Sequence, residues 1–193
     1  MSDTPTLTVA SYNMRKAVGL DRRRNPARVL QVLEEIDADI VALQEADKRV
    51  GTRGAAVPHA LIDDVLAMAT RPVLVSHTGV EGTCAGTRNL SDRHLQAIAA
   101  TGGVVGIGYW STAVCDTSVA AIVKAIRYTA DKIGVEHVAL GSDFNGTIEA
   151  PFDVTGLPQL TEGLLAAGFN QQEIAAIMGG NVQRLLLASL PEQ

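Results

Sequence analysis

Short runs of apolar residues alternate along this chain with longer stretches in which apolar residues recur every three or four positions. Leu7 to Tyr12, Ile40 to Leu43, Pro72 to Val75, Val104 to Tyr109 and His137 to Leu140 are short, apolar and bounded by polar residues or glycine, which reads as five buried strands. Between them Val29, Leu30, Leu33 and Ile36 mark one helical face, and Pro58 to Ala69 a second helix. A third helix opens at Ser91, with Leu90 and Leu95 in hydrophobic-staple positions, and stops at Gly102-Gly103. Val119, Ile122, Val123, Ile126 and Ile133 line the buried side of a longer one. Asn25-Pro26 combines an N-cap with a first-turn proline, Thr117 or Ser118 opens the long helix, and Gly134 fits the left-handed position that ends it. Short helices close the chain, with Asn170 and Glu173 spaced as a capping box and a break at Gly179-Gly180. The alternating order predicts an α/β fold: a mostly parallel sheet of about five strands flanked by helices, joined by right-handed crossovers.

Composition narrows this picture. The 193 residues are 47% hydrophobic and 4% aromatic, so one good core is available and Ala, Val, Leu and Ile must build it. The net charge of −5 argues against a dedicated nucleic-acid binder, whose footprint is usually basic. No apolar run approaches the roughly 20 residues that span a bilayer. The opening MSDTPTLTVA has neither a charged n-region nor an apolar h-region, so a cytoplasmic location is expected. Cys84 and Cys115 form no CxxC pair and are expected to be reduced, structural thiols.

In parallel α/β architectures the chemistry gathers at the carboxyl ends of the strands. The residues placed there are Asn13, Glu45, His77, Tyr109 and Asp143, and a Gly-containing loop after His77 leads to Arg88. His77 offers a metal ligand, Arg88 a carboxylate clamp and Asp143 an acid/base. That set suits metal-assisted hydrolysis of a substrate with a free carboxylate. His94, inside a helix, and His137, at a strand start, are assigned structural or solvent roles.

From about residue 63 onward the chain resembles the membrane (renal-type) dipeptidases. DDVLAMATRPVLVSHTGV, TRNLSDRHLQAIAATGGVVGIGYW, GVEHVALGSDFNG and IMGGNVQRLL carry the resemblance in consecutive order. The family is a dinuclear zinc (β/α)8 barrel, so residues 63–193 resemble its last three β/α units, a partial TIM-barrel-like fragment. The resemblance implies that His77 ligates zinc, Arg88 holds the C-terminal carboxylate of a dipeptide, and Asp143 assists proton transfer. His59, in PHALIDDVL, is the candidate for a further zinc-ligating histidine, although it lies closer to the DDVL than the family pattern places it. Asn145 stands where many members carry a second aspartate. The family's His-x-Asp pair and bridging glutamate have no counterpart in this sequence.

Residues 7 to about 60 resemble the start of the endonuclease/exonuclease/phosphatase family, through LTVASYNMRKAVGLD and NPARVLQVLEEIDADIVALQEAD. That resemblance implies a Mg²⁺ site using Asn13 and Glu45, with Arg22 to Arg24 as phosphate contacts or a solvated loop. The expectation is therefore a chimera, residues 1–62 of one pattern and 63–193 of the other. Its leading function is a zinc metallodipeptidase-like hydrolase with an incomplete site, acting on dipeptides. The alternatives are a Mg²⁺-dependent phosphodiesterase or nuclease, and a non-catalytic α/β domain that forms homo-oligomers through exposed sheet edges.

Overall fold

The computed structural model describes residues 8–13, 17–23, 25, 27–38, 40–44, 59–144, 146 and 148–189. The chain divides into two compact units, Met1–Arg71 with Ala188–Gln193, and Pro72–Leu187.

In the first unit, strand β1 (Val9–Asn13), helix α1 (Ala27–Ile36) and strand β2 (Ile40–Gln44) form the expected β-α-β unit. The two strands run parallel with Val9 opposite Ile40 and Asn13 opposite Gln44. Asn25 starts α1 by accepting a hydrogen bond from the Arg28 N–H at 3.3 Å. In the first turn of the helix, Arg28 pairs with Asp21 of the preceding loop at 2.9 Å. The amphipathic face of α1 then packs Val29, Leu30 and Leu33 with Ala17, Tyr12 and Ile62, the last from helix α2 (His59–Met68).

The second unit contains strand β3 (Leu74–Thr78), helix α3 (Asp92–Ala100), strand β4 (Val104–Ile107), helices α4 (Ser111–Val114) and α5 (Val119–Ile133), and strand β5 (Val138–Leu140). Helices α6 (Leu157–Ala166), α7 (Gln171–Ala175) and α8 (Asn181–Ser189) follow. β4 is the middle strand, parallel to both neighbours. Its Val104, Val105 and Ile107 are fully buried, as are Leu95 of α3 and Ile122 and Ile126 of α5. An all-apolar strand covered on both faces is what a parallel sheet demands. Asn181 of α8, itself buried, donates to the carbonyls of Val135 and Val138 at 2.8 Å each, which satisfies the backbone leading into and starting β5.

The strands are thus present and parallel, as the alternating pattern predicts. Among the described residues they pair as two sheets, β1-β2 and β3-β4-β5, where one of about five strands was expected. Periodicity fixes which segments are strands and leaves open which edges pair. The local signals are met more closely. Ser91 caps α3, Ser118 caps α5, and Asn170 with Glu173 forms a reciprocal capping box at α7. Gly134 ends α5 at positive φ, but with φ 91° and ψ 149° it turns directly into extended chain instead of adopting the left-handed helical position. Among the described residues no helix is long and apolar enough to cross a membrane.

Candidate active site

His77 lies inside β3 rather than at its end. Between β3 and β4 the register runs Leu74–Val104, Val75–Val105 and Thr78–Ile107, so Ser76 and His77 together face Gly106. This is a β-bulge, the device by which a sheet re-aims a side chain. Gly106 makes it possible: a Cβ there would sit 2.3 Å from the Ser76 carbonyl oxygen. The bulge leaves His77 half-buried, with Nδ1 2.9 Å from Ser76 Oγ.

Arg88 stands on a loop that begins immediately after β3. The loop is pinched at its neck, where Leu90 N–H donates to Gly79 O and Glu81 N–H to Leu90 O, each at 2.9 Å. Inside it, Asn89 is fully buried and its amide nitrogen donates to Cys84 O at 2.6 Å, and to Thr112 O and Ala113 O at 3.2 Å. Two of those acceptors belong to α4. A second tie to the same region is a disulfide between Cys84 and Cys115, whose Cα atoms are 5.2 Å apart. The two cysteines are therefore not the separate reduced thiols expected from their spacing. They lie 31 residues apart in sequence, yet adjacent parallel strands deliver both loops to the same end of the sheet.

Trp110, at the N-terminus of α4, connects these pieces. The Arg88 Cζ lies 4.7 Å from its ring centroid, within cation–π range. The His77 imidazole meets it edge-on at 5.7 Å between centroids. The indole is 5% exposed, and its Nε1–H has no acceptor among the described residues. Sequence reasoning missed Trp110, although it is the chain's single tryptophan and follows a strand directly in GIGYW.

Tyr109, next in line, turns to the other side of the strand end. It is fully buried and contacts Phe144 at 5.7 Å and Phe152 at 5.4 Å between ring centroids. Burial raises its phenol well above the ordinary range, so it is neutral at physiological pH. Asp143 is carried on the loop after β5, half-buried, in a positive-φ conformation (54°) closed by Gly146 N–H donating to Asp143 O at 2.8 Å. A Cβ at Gly146 would approach the Asp143 carboxylate to 2.5 Å, so a side chain there would displace the carboxylate from this position.

His77 and Arg88 are brought together through Trp110. Asp143 is carried on the loop after β5, the strand on the other side of β4 from β3, and directly precedes Phe144 of the Tyr109–Phe144–Phe152 aromatic cluster. His94 is buried in α3 with Nδ1 3.0 Å from Ser91 Oγ, and His137 Nδ1 lies 2.7 Å from Gly103 O, so both have the structural placement assigned to them. Asn13 ends β1 opposite Gln44. Glu45, Asn145 and the His59 side chain lie outside the described residues.

A tetrahedral zinc centre takes at least three protein ligands. Among the described residues no group of three or more His, Cys, Asp or Glu side chains could hold a metal ion. His77 is one donor, and the described residues do not by themselves fit a zinc centre.

Comparison with known proteins places this geometry. Residues 54–189 match the membrane dipeptidase family (peptidase family M19). An uncharacterized protein from the pqqA 5′ region of Klebsiella pneumoniae is 37% identical over 133 residues, 64% of this chain and 49% of that protein. Dipeptidase ataJ of Aspergillus terreus is 30% identical over 131 residues, 64% of this chain and 32% of its own. The chain therefore spans half or less of the length of these curated relatives. A metallo peptidase from Rhodobacter sphaeroides, solved with a phosphinate mimic of the dipeptide L-Ala-D-Ala, shares the fold with a TM-score of 0.67, over 84% of this chain and 46% of that one, at 23% identity. An amidohydrolase from Pseudomonas aeruginosa does so at 0.64, over 95% and 72%, at 20% identity. With the matched region covering β3, its His77 bulge, the Arg88 loop and all that follows to residue 189, this chain belongs to the membrane dipeptidase family.

Proposed function

We propose that this chain carries the substrate-carboxylate side of a dipeptidase-type hydrolase site, and that the 193-residue chain on its own binds dipeptides without turning them over. Arg88 anchors the C-terminal carboxylate; in a site completed with the zinc that the family resemblance implies, His77 would be one ligand and Asp143 would manage the proton transfer. The observation that carries this reading is the convergence of His77 and Arg88 on one indole at the carboxyl end of adjacent parallel strands. A dipeptidase name among the relatives, and a dipeptide mimic bound to a structural neighbour, support the substrate class. The absence of a His-x-Asp pair from the sequence supports the loss of turnover, because hydrolysis depends on a metal-bound nucleophile that His77 alone cannot hold.

Calorimetry with L-Ala-D-Ala and its C-terminal amide tests the carboxylate assignment. The acid binds about tenfold tighter than the amide, and Arg88→Gln binds the two alike. Equal binding of acid and amide by the unaltered chain contradicts the proposal.

A second reading belongs to the N-terminal unit, which the family match does not cover before residue 54. It is a Mg²⁺ site at Asn13 and Glu45, and the parallel register supports it by setting Asn13 opposite Gln44, the residue before Glu45. Mg²⁺-dependent cleavage of bis(p-nitrophenyl) phosphate that disappears in Glu45→Ala supports this reading; no cleavage counts against it.

A further inference from the structure

We infer that Trp110 is the positioning residue for the carboxylate anchor: its indole holds the Arg88 guanidinium in the orientation that receives a planar anion. This deepens the proposed function and rests on it. A guanidinium binds a carboxylate through N–H groups that point outward in its own plane, while its faces are weakly hydrated and stack on aromatic rings. The Arg88 Cζ lies over the Trp110 ring at 4.7 Å from its centroid, so the indole supports the guanidinium at the distance of a cation–π contact. An arginine without such a support must give up side-chain freedom each time it binds, and an arginine already stacked gives up less.

The indole is suited to this because it is itself held. It is 5% exposed, His77 packs against it edge-on, and the short helix it begins is fastened to the Arg88 loop by both the Cys84–Cys115 bond and the two Asn89 hydrogen bonds to Thr112 O and Ala113 O. The anchor and its support therefore belong to one braced unit, although they come from two successive strand-end loops. The chain has a single tryptophan, so its emission reports on this place alone.

The experiment uses the full chain with L-Ala-D-Ala and its C-terminal amide, read by calorimetry and by tryptophan emission. In the unaltered chain the acid shifts the emission and the amide does not, and Arg88→Gln removes the shift. Trp110→Leu loses the acid preference, by about tenfold, with the melting temperature and far-UV circular dichroism of the parent. Trp110→Phe, which keeps a ring and lacks the N–H, retains the preference to within about threefold and so assigns the effect to stacking. Should Trp110→Leu misfold, Trp110→Phe and the emission shift decide the question. Preference for the acid that survives intact in a folded Trp110→Leu overturns the inference alone, as does acid binding that leaves the emission unmoved. Equal binding of acid and amide in the unaltered chain overturns the carboxylate reading and the inference with it.

Discussion

Cys84 and Cys115 are joined across 31 residues of sequence, and the bond ties the loop that carries Arg88 to the segment that follows Trp110. A cross-link closing a loop of this size removes entropy from the unfolded chain and is worth about 3–4 kcal/mol in the chain-entropy treatment. Replacing both cysteines with alanine should lower the unfolding free energy by that order, read from urea denaturation. A thiol titration of the unfolded, unreduced chain should find no reactive sulfhydryl. An unchanged midpoint in the double variant would contradict the role given to the bond.

Asn89 presents a larger risk for its size. Its side chain is fully buried and serves three backbone carbonyls, those of Cys84, Thr112 and Ala113. Asn89→Leu strands those acceptors away from water, at about 2–3 kcal/mol in total. Asn89→Asp is at least as damaging, because it replaces the donor with a charged acceptor facing three oxygens. Chemical denaturation of the two variants separates this from a surface role, in which both would fall within about 0.5 kcal/mol of the parent.

The third prediction concerns pH. Asp92 accepts from Tyr128 Oη at 2.6 Å and pairs with Lys132 Nζ at 2.6 Å, joining α3 to α5. Lys132 first, and Tyr128 second, hold the Asp92 carboxyl below its usual range, while Asp92 raises both partners. The sign follows from those directions. The Asp92 contribution is complete above the unfolded carboxylate value of about 3.9, and is lost as pH falls through its depressed folded value. The Tyr128 and Lys132 contributions are complete below unfolded values of about 10, and are lost as pH rises through their elevated ones. Melting temperature should thus be flat in the neutral range and fall at both ends, and Asp92→Asn should flatten both limbs. The partners are well exposed to solvent, so the amplitude is small and shrinks with salt. Identical pH profiles for parent and variant would remove the cluster from the account.

How much of this was legible in the sequence depended on range. The β-α-β order, the Ser91 and Ser118 caps and the Asn170–Glu173 box involve residues within a few positions of each other, and they formed as their chemistry dictates. His77, Arg88 and Asp143 could be nominated because strand ends in parallel sheets collect polar groups. The bulge at Ser76–His77 was hidden because it is a property of two strands in register, set by Gly106 on the other one. The disulfide, the buried Asn89 and the cation–π contact of Arg88 with Trp110 each join two loops that meet only once β3 and β4 are side by side. No spacing rule along the chain contains that information.

The proposed function is that this chain on its own binds the carboxylate of a dipeptide without turning the dipeptide over. Zinc content of the purified full chain, measured alongside L-Ala-D-Ala hydrolysis with zinc supplied, tests it most directly. The account predicts well under one tightly held zinc per chain and no hydrolysis above the buffer rate. One or more zinc ions per chain, with zinc-dependent hydrolysis that disappears in His77→Ala, would contradict it.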